Sequence, residues 1–348
     1  MIRLKDSFLT INDSDVDKPF RIKQLKTAVF SNGIIDLNNV TTIPFPLRNQ
    51  LIEKFEIVSL REETRQVSTD GTVKFLFRLN DDHFIESVFL IDKNNHVTFC
   101  ISSQVGCRMG CVFCQTGKMG LLRNLTSYEI VSQVIFLYSF MVNEKKIDDR
   151  LFNIVFMGMG EPLDTIDEVI KAIGFITEKN NFSLSPTRIT VSTCGILDKI
   201  EQILTIYPTL RVAVSLNSAI QEERMKIMPI TKKFSVRDIE SQLKRIYFTF
   251  KNRITLEYVL IKGVNDTIED INALEIFNNE AFHLNIIPLN HSDNSISRPD
   301  EKAIKHFIDT LENKGFCVTR RYRRGDDIKA DCGQLYYEKS QEALDIRN

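Results

Sequence analysis

Val97-Thr98-Phe99-Cys100-Ile101-Ser102-Ser103-Gln104-Val105-Gly106-Cys107-Arg108-Met109-Gly110-Cys111-Val112-Phe113-Cys114 opens with an apolar run and closes in a cysteine loop. The run over 97–102 reads as a strand. The loop holds Cys107, Cys111 and Cys114 at C-x3-C-x2-C spacing, with no fourth cysteine close behind. Thiolates are soft ligands that select zinc, copper(I) or iron–sulfur clusters. Structural zinc closes a tetrahedron with four protein ligands, whereas a 4Fe-4S cluster held by three cysteines leaves one iron open. An open iron takes a further ligand, so the spacing points to chemistry rather than bracing. A zinc site that borrows His83 or His96 is the competing reading. Phe113, just before Cys114, would shield a cluster.

Downstream of this loop the pattern alternates. Strand candidates lie at 97–102, 152–157, 188–192, 210–216, 254–260, 284–288 and 317–322. Helical stretches near 127–141, 164–178, 196–205, 236–249, 267–279 and 299–314 separate them, the first opening on a Thr126/Glu129 capping box. Repeated β-then-α units specify a parallel sheet. An α/β fold with a partial (β/α) barrel leads, and a doubly wound open sheet is second. Barrel chemistry gathers at the C-terminal ends of strands. The cysteine loop, Gly158-Met159-Gly160-Glu161-Pro162, Ser192-Thr193, Ser215-Leu216-Asn217 and Asn290-His291 all fall there. The glycine-rich turn does not match the G-x-G-x-x-G dinucleotide fingerprint, since residue 163 is Leu163. Its glycines suit a close backbone approach, and Glu161 could accept from an ammonium or a ribose. A plain strand-to-helix turn is the alternative.

Upstream, residues 1–55 read as a small helical domain with an apolar stripe at Ile22, Leu25, Val29 and Phe30. Its basic residues are a solvated face or an RNA-contacting surface. Residues 56–92 change period and form a β-hairpin extension that turns at Asp70-Gly71. Strand alternation sets Glu86 on one face with Phe84, Val88 and Leu90. A carboxylate among apolar neighbours could act as a base, and an edge-strand carboxylate facing water is the plainer reading. The barrel core then spans 93–322, and 323–348 is a C-terminal loop and tail.

The whole chain has 348 residues, 43% of them hydrophobic, with a formal net charge of −1. That charge offers no global attraction for nucleic acid, so any RNA contact must be local. The N-terminus lacks the apolar core of a signal peptide, and no apolar run approaches the ~18 residues of a membrane span. Seven cysteines, thinly spread, do not resemble a secreted disulfide framework. A cytoplasmic protein with no membrane partner is expected. Arg320-Arg321-Tyr322-Arg323-Arg324 is the densest basic cluster, suited to phosphates and base stacking, or else a solvated strand end balanced by nearby aspartates. Cys332, in Asp331-Cys332-Gly333-Gln334, is a candidate loop nucleophile. Cys194 and Cys317 read as packing residues.

These motifs, in this order, resemble the radical S-adenosylmethionine (SAM) RNA methyltransferases of the RlmN/Cfr family. Cys100 to Gln104, the cysteine loop, Gly120 to Thr126, Met157 to Pro162, Ser192-Thr193, Met228-Pro229-Ile230, Val264-Asn265-Asp266, Asn285 to Asn290 and Gly325 to Leu335 carry the resemblance. It implies that Cys107, Cys111 and Cys114 hold a 4Fe-4S cluster whose open iron chelates SAM. It implies SAM contacts from Gly160, Glu161, Ser192, Ser215, Leu216, Asn217 and Asn290. It implies a ping-pong reaction using two SAM molecules per turnover. One methylates Cys332; the other supplies a 5′-deoxyadenosyl radical that activates the S-methyl group for addition to an adenine carbon. Glu86 would accept the ring proton. Cys100 would attack Cys332 to release the base, leaving a disulfide for cytosolic reductants to reopen. The implied substrate is an adenosine of 23S rRNA, with tRNA as a further one, and the implied electron donor is a flavodoxin or ferredoxin. Asn217 stands where the family commonly has His. Val105 and Pro162 are closer to the RlmN branch and Ala28-Val29-Phe30 to the Cfr branch. Methylation at C2 is favoured over C8. The alternatives are a radical SAM enzyme with another substrate and a zinc-stabilised RNA-binding module without activity.

Overall fold

The computed structural model describes residues 5–145, 147, 151–290, 296–321 and 324–328. Strand β1 is Leu60–Val67, β2 Val73–Leu79, β3 Phe84–Ile91, β4 Val97–Cys100, β5 Gln104–Cys107 and β6 Gly120–Asn124. Strand β7 is Asn153–Phe156, β8 Ile189–Thr193, β9 Arg211–Ser215, β10 Ile254–Leu260, β11 Phe282–Pro288 and β12 Val318–Arg320. Ten of them form one mixed sheet in the order β12-β11-β10-β9-β8-β7-β4-β3-β2-β1. From β4 through β7 to β12 every neighbouring pair is parallel. The strands follow one another in chain order, with no reversal of the kind that marks a doubly wound sheet. Among the described residues β1 and β12 lie at opposite edges, so the arrangement is an open, partial barrel. Strands β5 and β6 pair separately as a hairpin.

The turn at Asp70-Gly71 joins β1 to β2 as expected, with Gly71 at φ 87°. The chain then adds β3, antiparallel to both β2 and β4. Residues 60–91 therefore form a three-stranded meander that continues the parallel sheet. Glu86 sits on an inner strand and is 3% exposed, which corrects the edge-strand reading.

Alternation explains the two faces. Ile154, Phe156, Ile189, Val191, Val212, Val214, Leu256, Leu284 and Ile286 are buried as a continuous apolar face, which the crossover helices cover. Helix α1 spans Phe20–Phe30, α2 Phe45–Lys54, α3 Ser127–Ser139, α4 Ile166–Thr177, α5 Leu197–Ile206, α6 Gln221–Ile227 and α7 Val236–Phe250. The Thr126/Glu129 capping box fixes the start of α3, whose turns are buried nearly all round. Helix α7 buries only Val236, Ile239, Leu243 and Ile246 and ends at Lys251 in the left-handed region, φ 54°. The N-terminal helices share the core through Phe30, whose ring meets Phe182 edge-on at 5.0 Å. Among the described residues no helix is long and apolar enough to cross a membrane.

Candidate active site

The cysteine loop is fastened at both ends. Gly106 in β5 adopts φ 76°, and a Cβ there would lie 1.9 Å from the Gly120 carbonyl, so only glycine lets the β5–β6 hairpin close. Cys107 ends β5 and is buried, while Cys111 and Cys114 are half-buried. The Cys114 N–H donates to the Cys111 carbonyl at 3.1 Å, and the Val112 N–H donates to the Ile227 carbonyl at 3.1 Å. Arg108 reaches Asp164 at 2.8 Å. A small apolar cluster of Cys194, Ile227 and Met228 packs against Met109, Cys111 and Phe113. Cys194 is buried there, whereas Cys317 is exposed and is not a packing residue.

Burial pushes the Cys107 thiol up to about 12, opposed by the Met109 backbone N–H and reinforced by Cys114, Glu161 and Asp164. Burial also raises Cys111, followed by the nearby Cys114 and Cys107. Burial and their neighbours thus hold Cys107 and Cys111 protonated without a cation. A metal centre that displaces their protons removes that penalty. Among the described residues no three His, Cys, Asp or Glu side chains converge on one ion-sized position. A cubane does not need such a point, because each thiolate binds a different iron. Three soft donors on one loop under an apolar cover therefore fit a site-differentiated cluster.

The glycine turn after β7 approaches the protein's own strand end. A Cβ on Gly160, φ 100°, would meet Gln104 Cβ at 2.5 Å, and one on Gly158 would meet the Ile101 carbonyl at 2.7 Å. Gln104 is the hub: its Oε1 accepts from the Glu161 N–H at 2.8 Å, and its Nε2 donates to Asn124 and Asp164, each at 2.9 Å. The buried Glu161 carboxylate accepts from the Cys194 N–H at 2.8 Å and the Leu163 N–H at 3.1 Å. Burial raises its pKa, and these N–H groups work against that rise. Loop, carboxylate and cysteine hairpin are thus one hydrogen-bonded unit.

On the open face of the sheet, Ser215, Glu257, Asn285 and Thr319 stand in one row across β9 to β12. Ser192 Oγ donates to Glu257 Oε2 at 2.8 Å. Ser192 and Ser215 are half-buried, and Asn290, just past β11, is exposed. A polar row is unusual for the packed interior of a barrel and suits a ligand cleft. Leu216 and Asn217 are buried, and Asn217 adopts φ 59°. The Asn217 side chain accepts from the Val259 N–H at 2.8 Å and donates to Met228 Sδ at 3.1 Å. Sequence reasoning missed Glu257, although a lone carboxylate in an apolar strand was the same signal that marked Glu86.

A second group lies nearer the meander. Cys100 pairs in register with Val88, so its side chain shares a face with Glu86, two residues away. Ser102 ties the two regions: its Oγ donates to the Glu86 carbonyl at 2.6 Å and accepts from the Met159 N–H at 2.8 Å. Burial pushes the Cys100 thiol up to about 11, while Arg321 pulls it down. Arg321 lies 3.9 Å from Glu257 and donates to Met157 Sδ at 3.6 Å. Within the basic cluster, Arg320 pairs with Glu301 at 2.6 Å and Arg324 is exposed. Tyr322 and Arg323 lie outside the described residues, as does Cys332 with its expected disulfide to Cys100. The segment leading to Cys332 is held by the β1–β2 turn. Asp70 accepts from the Gly325 N–H at 2.9 Å, and Asp327 accepts from the Thr69 N–H at 3.0 Å and from Ser68 Oγ.

The Radical SAM superfamily model matches residues 101–274. The chain is 40% identical over 337 residues to a probable dual-specificity RNA methyltransferase RlmN of Flavobacterium psychrophilum, covering 96% of this chain and 94% of that protein. It is 37% identical over 326 residues to one from Clostridium novyi, covering 93% of each. Among solved structures, a radical SAM methyltransferase from Sphaerobacter thermophilus superposes with a TM-score of 0.85 at 33% identity, covering 91% of this chain and 92% of that one.

Proposed function

We propose a specific reaction for this chain, which belongs to the RlmN family of radical SAM RNA methyltransferases: methylation of ring carbon C2 of an adenosine in 23S rRNA, with tRNA as a second substrate. Membership sets aside the zinc-stabilised module without activity. The observation that carries the reading is the shared face of Cys100 and Glu86, joined through Ser102 to the glycine turn. It puts a thiol and a carboxylate beside the strand ends that would hold SAM. The relatives' dual-specificity name supports two kinds of RNA substrate.

When bound, the cluster of Cys107, Cys111 and Cys114, with SAM on its open iron, supplies the radical that polar chemistry at an amidine carbon lacks. Gly160, Glu161, Ser192, Ser215, Leu216, Asn217 and Asn290 would form the SAM cleft. Glu161 ties the turn to the cysteine hairpin through its N–H on Gln104 and to the end of β8 through its carboxylate on the Cys194 N–H, and Asn217 braces the loop after β9. Cys332 takes the methyl of one SAM by displacement, and a second SAM is used for the radical. Glu86 would take the ring proton as the adduct gives up its unpaired electron, for which the cluster oxidised in cleaving the second SAM would be the acceptor. The Cys100 thiolate then attacks Cys332 Sγ, an S–S bond forms as the S–C bond breaks, and the released carbon takes up a proton. A cytoplasmic setting would supply the thiol reductant that reopens the disulfide and the flavodoxin or ferredoxin that feeds the cluster. Mass spectrometry of digested rRNA and tRNA from cells with and without this protein tests the reading. C2-methyladenosine present only with the protein is expected; C8-methyladenosine, or no change in either RNA, would overturn it.

A further inference from the structure

One cation is sealed behind the cysteine loop. Arg224, on α6, has 0% exposure. Its guanidinium makes four hydrogen bonds, all to neutral acceptors: Leu216 O at 2.9 Å, Thr231 Oγ1 at 2.6 Å, Cys194 O at 2.9 Å and Ser215 O at 3.1 Å. Among the described residues no carboxylate forms an ion pair with it. A buried charge without a counter-ion is strongly disfavoured, so this guanidinium calls for an anion that the polypeptide does not provide.

The position of α6 identifies that anion. The helix ends at Ile227, whose carbonyl holds the Val112 N–H between Cys111 and Cys114. Ile227 and Met228 pack on Cys111, and Pro229 lies 3.7 Å from where a Cβ on Gly110 would stand. Cys194, whose carbonyl takes one of the four bonds, is in the same apolar cluster. Burial pulls the guanidinium down to about 10, and Cys194 and Cys111 push back, which leaves it charged at neutral pH.

We propose that Arg224 is the fixed counter-charge of the iron–sulfur cluster, a positioning residue that favours the cluster's one-electron reduced form. The inference rests on Cys107, Cys111 and Cys114 being the cluster ligands. A cluster with three thiolates is a net anion, and one electron from a flavodoxin-class donor adds a further negative charge while no bond forms or breaks. A positive charge fixed in an apolar surround stabilises the reduced state more than the oxidised one. The same side chain gathers the carbonyls at the ends of β8 and β9, so a purely mechanical role is the alternative.

The test compares wild type, Arg224→Gln and Arg224→Lys after anaerobic reconstitution with iron and sulfide. Iron content and the midpoint potential, from an EPR-monitored redox titration, are the readouts. The Gln variant should load its cluster and titrate at a more negative potential, with Lys close to wild type. A fully loaded Gln variant with the wild-type potential would overturn the inference. If Arg224→Gln fails to fold or load, Thr231→Asp and Thr231→Asn decide, because Arg224 stays in place. The Asp variant sets a carboxylate on Nη1 and should titrate more negative than Asn; equal potentials overturn the proposal. A wild-type protein that takes up no cluster would overturn the cysteine assignment itself, and this inference with it.

Discussion

The proposed reaction requires Cys100 to ionise before it attacks Cys332, yet the fold holds it neutral. Burial lifts its thiol from 9.0 to about 11, with Glu86 and Glu257 adding to the rise. Arg321 is the largest opposing influence, followed by the backbone N–H of Met157. The thiolate is the nucleophile, so a higher pKa leaves less of it at any pH below that value. Arg321→Ala removes the favourable charge and should push the thiol further up. Modification of Cys100 by a small alkylating reagent, followed by peptide mass spectrometry from pH 9.0 to about 11, reads this directly. The half-point should move to higher pH in the variant. Superimposable profiles would assign Arg321 to holding Met157 and Glu257 alone.

At the scale of elements, the β1–β2 turn grips the segment that leads to Cys332. Burial raises the Asp70 carboxyl, but the N–H groups of Thr72 and Gly325 outweigh it and bring it from 3.8 to about 2. Its folded pKa is below its unfolded one, so the stabilisation is complete above the ordinary value. It is lost as pH falls from 3.8 toward about 2. The stability gap between cluster-free wild type and Asp70→Asn, from thermal unfolding, should therefore narrow through that window. A gap independent of pH would show that the Asp70 charge does not hold Gly325. Such a latch joins residues 255 positions apart, and nothing local in Asp70-Gly71 announces it beyond a turn. Elements with their own periodicity were legible: 254–260 was read as a strand and is one. Glu86 was legible in its face but not in its burial, because an inner strand depends on neighbours far along the chain. Arg224 was invisible for the same reason, since nothing local in Gln221–Ile227 announces that the cysteine loop packs against the end of that helix. The chemistry was legible earlier than the fold because three thiols and a missing ligand are local facts.

For the whole molecule, a net charge of −1 must be reconciled with a polyanionic substrate. The long-range field neither steers nor repels RNA strongly, so binding depends on which cations the fold leaves uncommitted. Lys26 is paired with Glu178 at 2.9 Å, Arg21 with Asp17 at 3.4 Å and Arg320 with Glu301 at 2.6 Å. Lys23 and Arg324 are exposed and form no ion pair among the described residues. Arg324 also lies next to Gly325, which the β1–β2 turn holds through Asp70. If it neutralises a phosphate, it releases about one counter-ion on binding. Arg324→Ala should then lower the slope of log affinity against log salt by about one. The loss of affinity should be largest at low salt and shrink as salt rises, because the wild type sheds that contact's advantage with screening. Titration of a 23S rRNA fragment into both proteins at a series of salt concentrations measures it. Equal slopes would place Arg324 outside the RNA interface and shift the search for phosphate contacts to the N-terminal helices around Lys23.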